Sequence, residues 1–157
     1  MRIMLQRCGR TATAIAEHYL PRHAGDELPG TRVGMALAIA DKLDTITGIF
    51  AIDQRPTGTR DPYGVRRAAL SVVRIIIERR LELDLRKLIA TAAQLLTNHS
   101  GVGAVSEAVC DQVYDYIMER LRAYYLDRSS GLDVTTEMFD SVLSNRPPSP
   151  LDFDARL

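Results

Sequence analysis

Apolar side chains recur at steps of three and four residues along most of this chain, while the alternating pattern of strands is almost absent. Such a chain has one economical way to bury its apolar atoms, which is to pack helices against helices. An all-α, multi-helix bundle is therefore the expected fold. The breaks between periodic stretches divide it. A short helix over residues 12–19 stops at Pro21, and the loop over 26–34 turns at Pro29-Gly30. A helix from Val33 to Phe50 presents Ala36, Ile39, Ala40, Leu43, Ile46 and Phe50 to the core, with Asp41, Asp44, Thr45 and Gly48 on another face. After a break over 52–64, Asp61-Pro62 supplies an N-cap and first turn for a helix running to about Arg79. That helix buries Val65, Ala69, Val72, Ile75 and Ile76, and turns Arg67, Ser71, Arg74 and Glu78 outward. Its 13-residue connection favours close packing on the preceding helix.

Asp84 caps a further helix that ends between Asn98 and Gly103. The longest helix follows, from about Val105 to Asp127, with Val109, Val113, Ile117, Leu121 and Tyr124 inward. Residues 134–144 make a last short helix before RPPSP (146–150) halts the pattern. The final LDFDARL starts a new amphipathic pattern, too short by itself for a helix to bury, so the C-terminus reads as interrupted.

With 46% hydrophobic and 25% charged residues, the composition is that of a globular chain with a real core, not a disordered segment or a rod. No apolar run nears the ~18 residues of a membrane span, and MRIMLQRCGR lacks the apolar centre of a secretory signal. The expected compartment is the cytoplasm. Cys8 and Cys110 have neither CxxC spacing nor a neighbouring His at ligand distance, so neither a disulfide framework nor a zinc site is expected.

Charge is balanced in total but not along the chain. Residues 55–80 hold seven arginines against Asp61 and Glu78, whereas residues 101–157 hold ten acids against five arginines. A basic face able to meet phosphates is one reading, and solvated or ion-paired surface arginines are the other. No GxxxxGK[ST], GxGxxG or HExxH occurs, and His18, His23 and His99 have no sequence-local nucleophile beside them. PTGTRDP (56–62) is the one Gly/Thr-rich candidate for an anion loop, through Thr57, Thr59 and Arg60. Against that, an Asp61 cap would already occupy the helix amides and repel anions. Asp41 and Asp44 in ADKLDT (40–45) share a helix face beside Lys42, which suits a hard cation, acid–base work or simply a solvated face.

Several long blocks carry a resemblance. EHYLPRHAGDELP (17–29), ALAIADKLDTITGIFAI (36–52), RPTGTRDPYGVRRAALSVVRI (55–75), ERLRAYY (119–125) and RPPSPLDFDAR (146–156) resemble the beta subunit of bacterial heterotetrameric glycyl-tRNA synthetase, in that family's order and spacing. The resemblance implies a helical domain akin to the His-Asp phosphohydrolases over 12–128, and over 129–157 a linker with the beginning of a truncated anticodon-binding region. It leaves residues 1–11 unmatched, as a misassigned start or a frameshift would. It also implies a tRNA-Gly partner and a separate alpha subunit that holds the glycyl-adenylate site, with ATP and Mg2+ there and no cofactor on this chain. Neither a membrane nor DNA is an implied partner.

ADKLDT is similar to the last aspartate motif of His-Asp enzymes, with Asp41 in the ligand position, but His18-Tyr19 and His23-Ala24 are not His-Asp pairs. No catalytic or metal-binding residue is therefore expected here, and Asp41, Asp44 and Asp61 are assigned structural roles. Arg60, Arg66, Arg67 and Arg74 are the candidate phosphate contacts. Their competing role is pairing with Asp41 and Asp44 on the neighbouring helix, expected of at least one of them. The alternative to a tRNA-binding fragment is a degenerate phosphohydrolase or a helical interaction module without RNA.

Overall fold

Every helix after the first begins where a polar side chain takes up amides that a first turn leaves unpaired. The computed structural model describes residues 11–23, 25–57, 60–99, 103–127 and 134–157, and it is helical almost throughout. Helix α1 covers residues 11–17. Helices α2 (Arg32–Ala51), α3 (Val65–Glu78), α4 (Leu85–His99), α5 (Glu107–Leu126), α6 (Thr136–Ser144) and α7 (Pro150–Arg156) follow. Among the described residues there is no strand, only an isolated bridge between Thr57 and Arg60. Residues 1–10 and the whole 129–133 break lie outside that description, as does Thr59.

Helices α2, α3, α4 and α5 enclose one apolar core, and α2 meets α3 as the spacing of the two stripes predicts. The α3 stripe is as expected: Val65, Ala69, Val72, Ile75 and Ile76 are all fully buried. Its start differs. The helix opens three residues after Pro62, on Gly64 in a left-handed conformation (φ 65°) that glycine adopts without strain. Asp61 still serves it, its carboxylate accepting from Val65 N at 2.8 Å and Arg66 N at 3.0 Å.

On α2 the buried stripe is Ala38, Ile39, Leu43, Ile46 and Phe50, while Ala36 and Ala40 face solvent. The helix is rotated slightly from its expected setting because Gly34, Lys42 and Thr47 complete the inward stripe. Small alanines constrain a helix's rotation weakly, and the larger Ile, Leu and Phe side chains decide it. On α5, Val113, Ile117 and Leu121 are inward as expected, but Tyr125 is buried in place of Tyr124, which is half-exposed.

Two aromatic anchors dock the C-terminal arm. Phe139 of α6 and Phe153 of α7 are completely buried in the same core, their rings 4.7 Å apart. The seven-residue α7 thus buries its pattern after all. Ser149 caps it, Pro150 starts it, and α3 receives its apolar side. The preceding turn is pinned too: Tyr114 Oη donates to Pro147 O at 2.8 Å, and Leu85 N donates to Pro148 O at 2.8 Å.

The junction of α1 and α2 is held by one carboxylate. Glu17 accepts from Gly30 N and Thr31 N, each at 3.1 Å, and from the Thr31 hydroxyl, while Thr31 Oγ1 caps α2 through Gly34 N at 3.0 Å. The Thr31 hydroxyl above all holds the Glu17 carboxyl below its ordinary range, with the two backbone donors adding to it against a burial effect of opposite sign. A depressed folded-state pKa contributes stability that is present above the unfolded value and lost as pH falls through the folded one. Glu17→Gln should accordingly be less stable than the parent at neutral pH, and the gap should close below about pH 4. Urea unfolding of both proteins across that range checks it, and a gap independent of pH would contradict the assignment.

Candidate nucleic-acid interface

The outward face of α3 is only partly open to solvent. Residues 21–23 and 25–28 cross it, and side chains of α3 and of Arg79 just after it approach their carbonyls one after another. Ser71 Oγ donates to Arg67 O at 2.7 Å and lies 3.4 Å from Pro21 O. Arg67 Nη1 reaches Arg22 O at 3.4 Å, Arg74 Nη2 reaches Asp26 O at 3.5 Å, and Arg79 Nη2 donates to Leu28 O at 2.9 Å. Carbonyls of an irregular segment need such donors wherever they leave water. This explains why Ser71, expected outside with the arginines, is buried.

Between this face and α5 runs a groove of about 630 Å³. Arg66, Arg67 and Arg74 enter it from α3, Arg120 from α5 and His23 from the crossing segment, with Asp127 among the lining residues. Three of the four predicted arginines are brought together there. Arg60 is not: it is exposed, bridges to Thr57 and does not line the groove.

The arginines are not equivalent. Arg74 is strongly sheltered, its side chain only 10% exposed, and its Nε lies 2.7 Å from Glu78 Oε1 in an i,i+4 pair. Its charge is largely spent on structure. Arg67 is exposed and its single carbonyl contact is long. Arg120 lies over the ring of Tyr116 at 5.4 Å from the centroid, and its Nε is buried with no hydrogen-bond partner among the described residues. The Tyr116 hydroxyl is likewise buried and without such a partner. Burial pushes the Tyr116 phenol up, the Arg120 and Arg66 guanidinium groups oppose this, and Asp61 adds to it. Arg66 and Arg120, which line the groove, therefore share one electrostatic neighbourhood with Asp61 and Tyr116.

The expected pairing of α3 arginines with Asp41 and Asp44 does not form among the described residues. The 21–28 carbonyls and Glu78 are nearer claimants, and both aspartates stay exposed. Lys42, set beside them in the sequence, is buried where they are not. It is 7% exposed and donates to His18 O at 2.9 Å, and burial pushes its amine down, with Asp41 partly offsetting this. Its inward setting was readable, since Lys42 lies four residues from both Ala38 and Ile46 on the buried stripe. Arg120 had a weaker signal, the Tyr116–Arg120 i,i+4 spacing. Its approach to α3 is a long-range contact that no local pattern encodes.

Among the described residues no three His, Cys, Asp or Glu side chains gather as a metal site. His18 Nδ1 is hydrogen-bonded to Ile15 O, and its ring lies tilted by 42° against that of Tyr19, the centroids 3.8 Å apart. Cys110 is half-buried, and burial pushes its thiol up, away from nucleophilic character. No helix among the described residues is long and apolar enough to cross a membrane.

Comparison with known proteins agrees with the blocks singled out above. The sequence model for the family described as glycyl-tRNA synthetase beta subunit matches residues 7–144, a span that begins inside the segment read as unmatched. The glycine–tRNA ligase beta subunit of Glaesserella parasuis is 47% identical over 146 residues, which is 93% of this chain and 20% of the relative. That of Hahella chejuensis is 49% identical over 141 residues, 90% of this chain and 19% of the relative, and that of Pseudomonas aeruginosa is 47% identical over 146, with 93% and 20% covered. The chain thus spans about a fifth of the length of these relatives. By the extent of these matches, it belongs to the glycyl-tRNA synthetase beta subunit family.

Proposed function

We propose that this chain acts as a helical segment of a glycine–tRNA ligase beta subunit in the cytoplasm, lending a phosphate-binding groove to tRNA-Gly during glycyl-tRNA synthesis. The observation that supports this most directly is the convergence of Arg66, Arg67 and Arg120 from two helices on one groove, with Arg74 bracing it from beneath. Guanidinium groups held in fixed positions offer paired N–H donors to phosphate oxygens and contribute affinity without reading sequence. Asp127 beside the groove opposes anions and would favour a backbone that passes along the arginine side. Glycine activation, with ATP and Mg2+, belongs in this reading to the alpha subunit. The region over 129–157 then leads toward an anticodon-binding domain, and the helical part over 12–128 is a His-Asp-like domain put to RNA binding.

The Arg66→Ala, Arg67→Ala double variant tests the groove. Affinity for tRNA-Gly and for an unrelated tRNA should fall together, by about tenfold. The salt slope between about 50 and 200 mM should flatten by roughly one unit per lost phosphate contact. Unchanged affinity with a lowered melting temperature would reduce both arginines to structural roles and reject the groove.

A further inference from the structure

We propose that the cleft beside the groove, between α2 and α3, takes an unpaired nucleobase of a single-stranded RNA segment whose backbone lies along the α3/α5 arginines; this rests on the phosphate-binding reading of that groove. The cleft has a volume of about 360 Å³. Tyr19 and Tyr63 both line it, 63% and 52% exposed, whereas Tyr114, Tyr116, Tyr124 and Tyr125 are buried or half-buried. A single exposed tyrosine needs no explanation. Two that line one cleft, each with its ring held, do. The Tyr63 hydroxyl donates to Gln54 Oε1 at 3.0 Å, and the Tyr19 ring makes a tilted contact with the His18 ring, the centroids 3.8 Å apart. Rings fixed in this way lose little freedom when a base stacks on them.

The polar groups around the rings suit a nucleotide. The Lys42 amine, a donor of three hydrogens, uses one on His18 O and lines the cleft with Arg67. Asp41, exposed and also lining the cleft, is an acceptor for the exocyclic amines of a base edge. Stacking on aromatic rings beside a cationic track is how single strands are held without strict sequence choice. Continuity favours a strand over a free nucleotide: Pro21, Arg67 and Ser71 line both the cleft and the groove, so a ligand leaving one enters the other.

The experiment compares two RNAs on the full 157-residue chain: a blunt hairpin of about 12 base pairs, and the same hairpin with a single-stranded extension of about four nucleotides. By fluorescence anisotropy the extension should tighten binding about tenfold, within the range of stacking one base. Tyr19→Ala and Tyr63→Ala should each remove most of that gain while blunt-hairpin affinity stays as in the parent. Tyr63→Phe, which keeps the ring, should retain it. An extension that adds nothing, or a gain that survives both alanine variants, overturns the proposal. Adenosine monophosphate displacing the extended probe at concentrations near the strand's own Kd would mark a free-nucleotide site and overturn it as well. The groove fails separately: Arg66→Ala, Arg67→Ala would then leave blunt-hairpin affinity unchanged, while the extension and tyrosine arms still report on the cleft.

Discussion

Replacing Phe153 with alanine lowers the unfolding free energy by about 3–5 kcal/mol, the range of a phenylalanine deleted from a tight core. The ring has no exposure, and it meets Phe139, itself completely buried, at 4.7 Å. A helix of seven residues has no stability of its own in water. What holds α7 is this ring, the Ser149 cap and the hydrogen bond from the Tyr125 hydroxyl to the Asp154 carboxylate. Burial, with that carboxylate next, pushes the Tyr125 phenol up strongly, so the donor stays protonated at any ordinary pH. Loss of the ring should release the arm, expose Phe139 and Tyr125, and lower the urea m-value as the cooperative unit shrinks. Equilibrium unfolding followed by circular dichroism measures both quantities. A loss below about 1 kcal/mol with an unchanged m-value would mean that α7 merely rests on the bundle.

The same arm shows where periodicity stops being sufficient. Reading one segment at a time, a seven-residue amphipathic stretch has nowhere to bury its apolar side. The structure gives it a place prepared by residues far away in the chain, on α3 and at Phe139. In α3 the pattern alone was enough, because four β-branched positions, Val65, Val72, Ile75 and Ile76, fall on one stripe with Ala69 and leave one rotation of the helix. In α2 alanines dilute the stripe, and a lysine completes it by reaching a loop carbonyl, so the expected and observed faces differ. The Tyr124–Tyr125 exchange has the same origin: adjacent tyrosines are equivalent to a periodicity count, and the partner at Asp154 chooses between them.

The candidate site was legible to the extent that it is local. Arg66, Arg67 and Arg74 lie within three turns of one helix, and their shared side follows from spacing. What they touch does not follow. The carbonyls of Pro21, Arg22, Asp26 and Leu28 became partners only because an irregular segment was laid over α3, and this displaced the ion pairs expected with Asp41 and Asp44. Arg120, from a helix 46 positions beyond Arg74, needed the tertiary fold.

The α1–α2 junction makes a sharper demand, because there a substitution favourable to the helix should do harm. Gly34 sits in the first turn of α2, where alanine is intrinsically better than glycine by up to about 1 kcal/mol. A Cβ at that position, however, would lie 2.8 Å from the Glu17 Cβ and 2.9 Å from Thr31 Oγ1, and would run into the Glu17 carboxylate. The carboxylate is the flexible end of its chain, but moving it breaks its hydrogen bonds to Gly30 and Thr31. The Glu17 Cβ is fixed by the end of α1. Gly34→Ala should therefore destabilise by about 1–3 kcal/mol, the usual cost of overpacking. Glu17→Gly removes both the carboxylate and the Cβ, at its own cost. In that background Gly34→Ala should be close to neutral or slightly stabilising, since helix propensity is then opposed only by Thr31. The coupling between the two sites, read from urea unfolding of the four proteins in the cycle, should be at least about 1 kcal/mol. Equal destabilisation in both backgrounds would move the cost to the Thr31 cap and away from the Glu17 contact. Because residues 18–23 leave α1 immediately after Glu17 and carry Tyr19 and His23 to the cleft and the groove, the same contact sets the geometry in which both are presented to RNA.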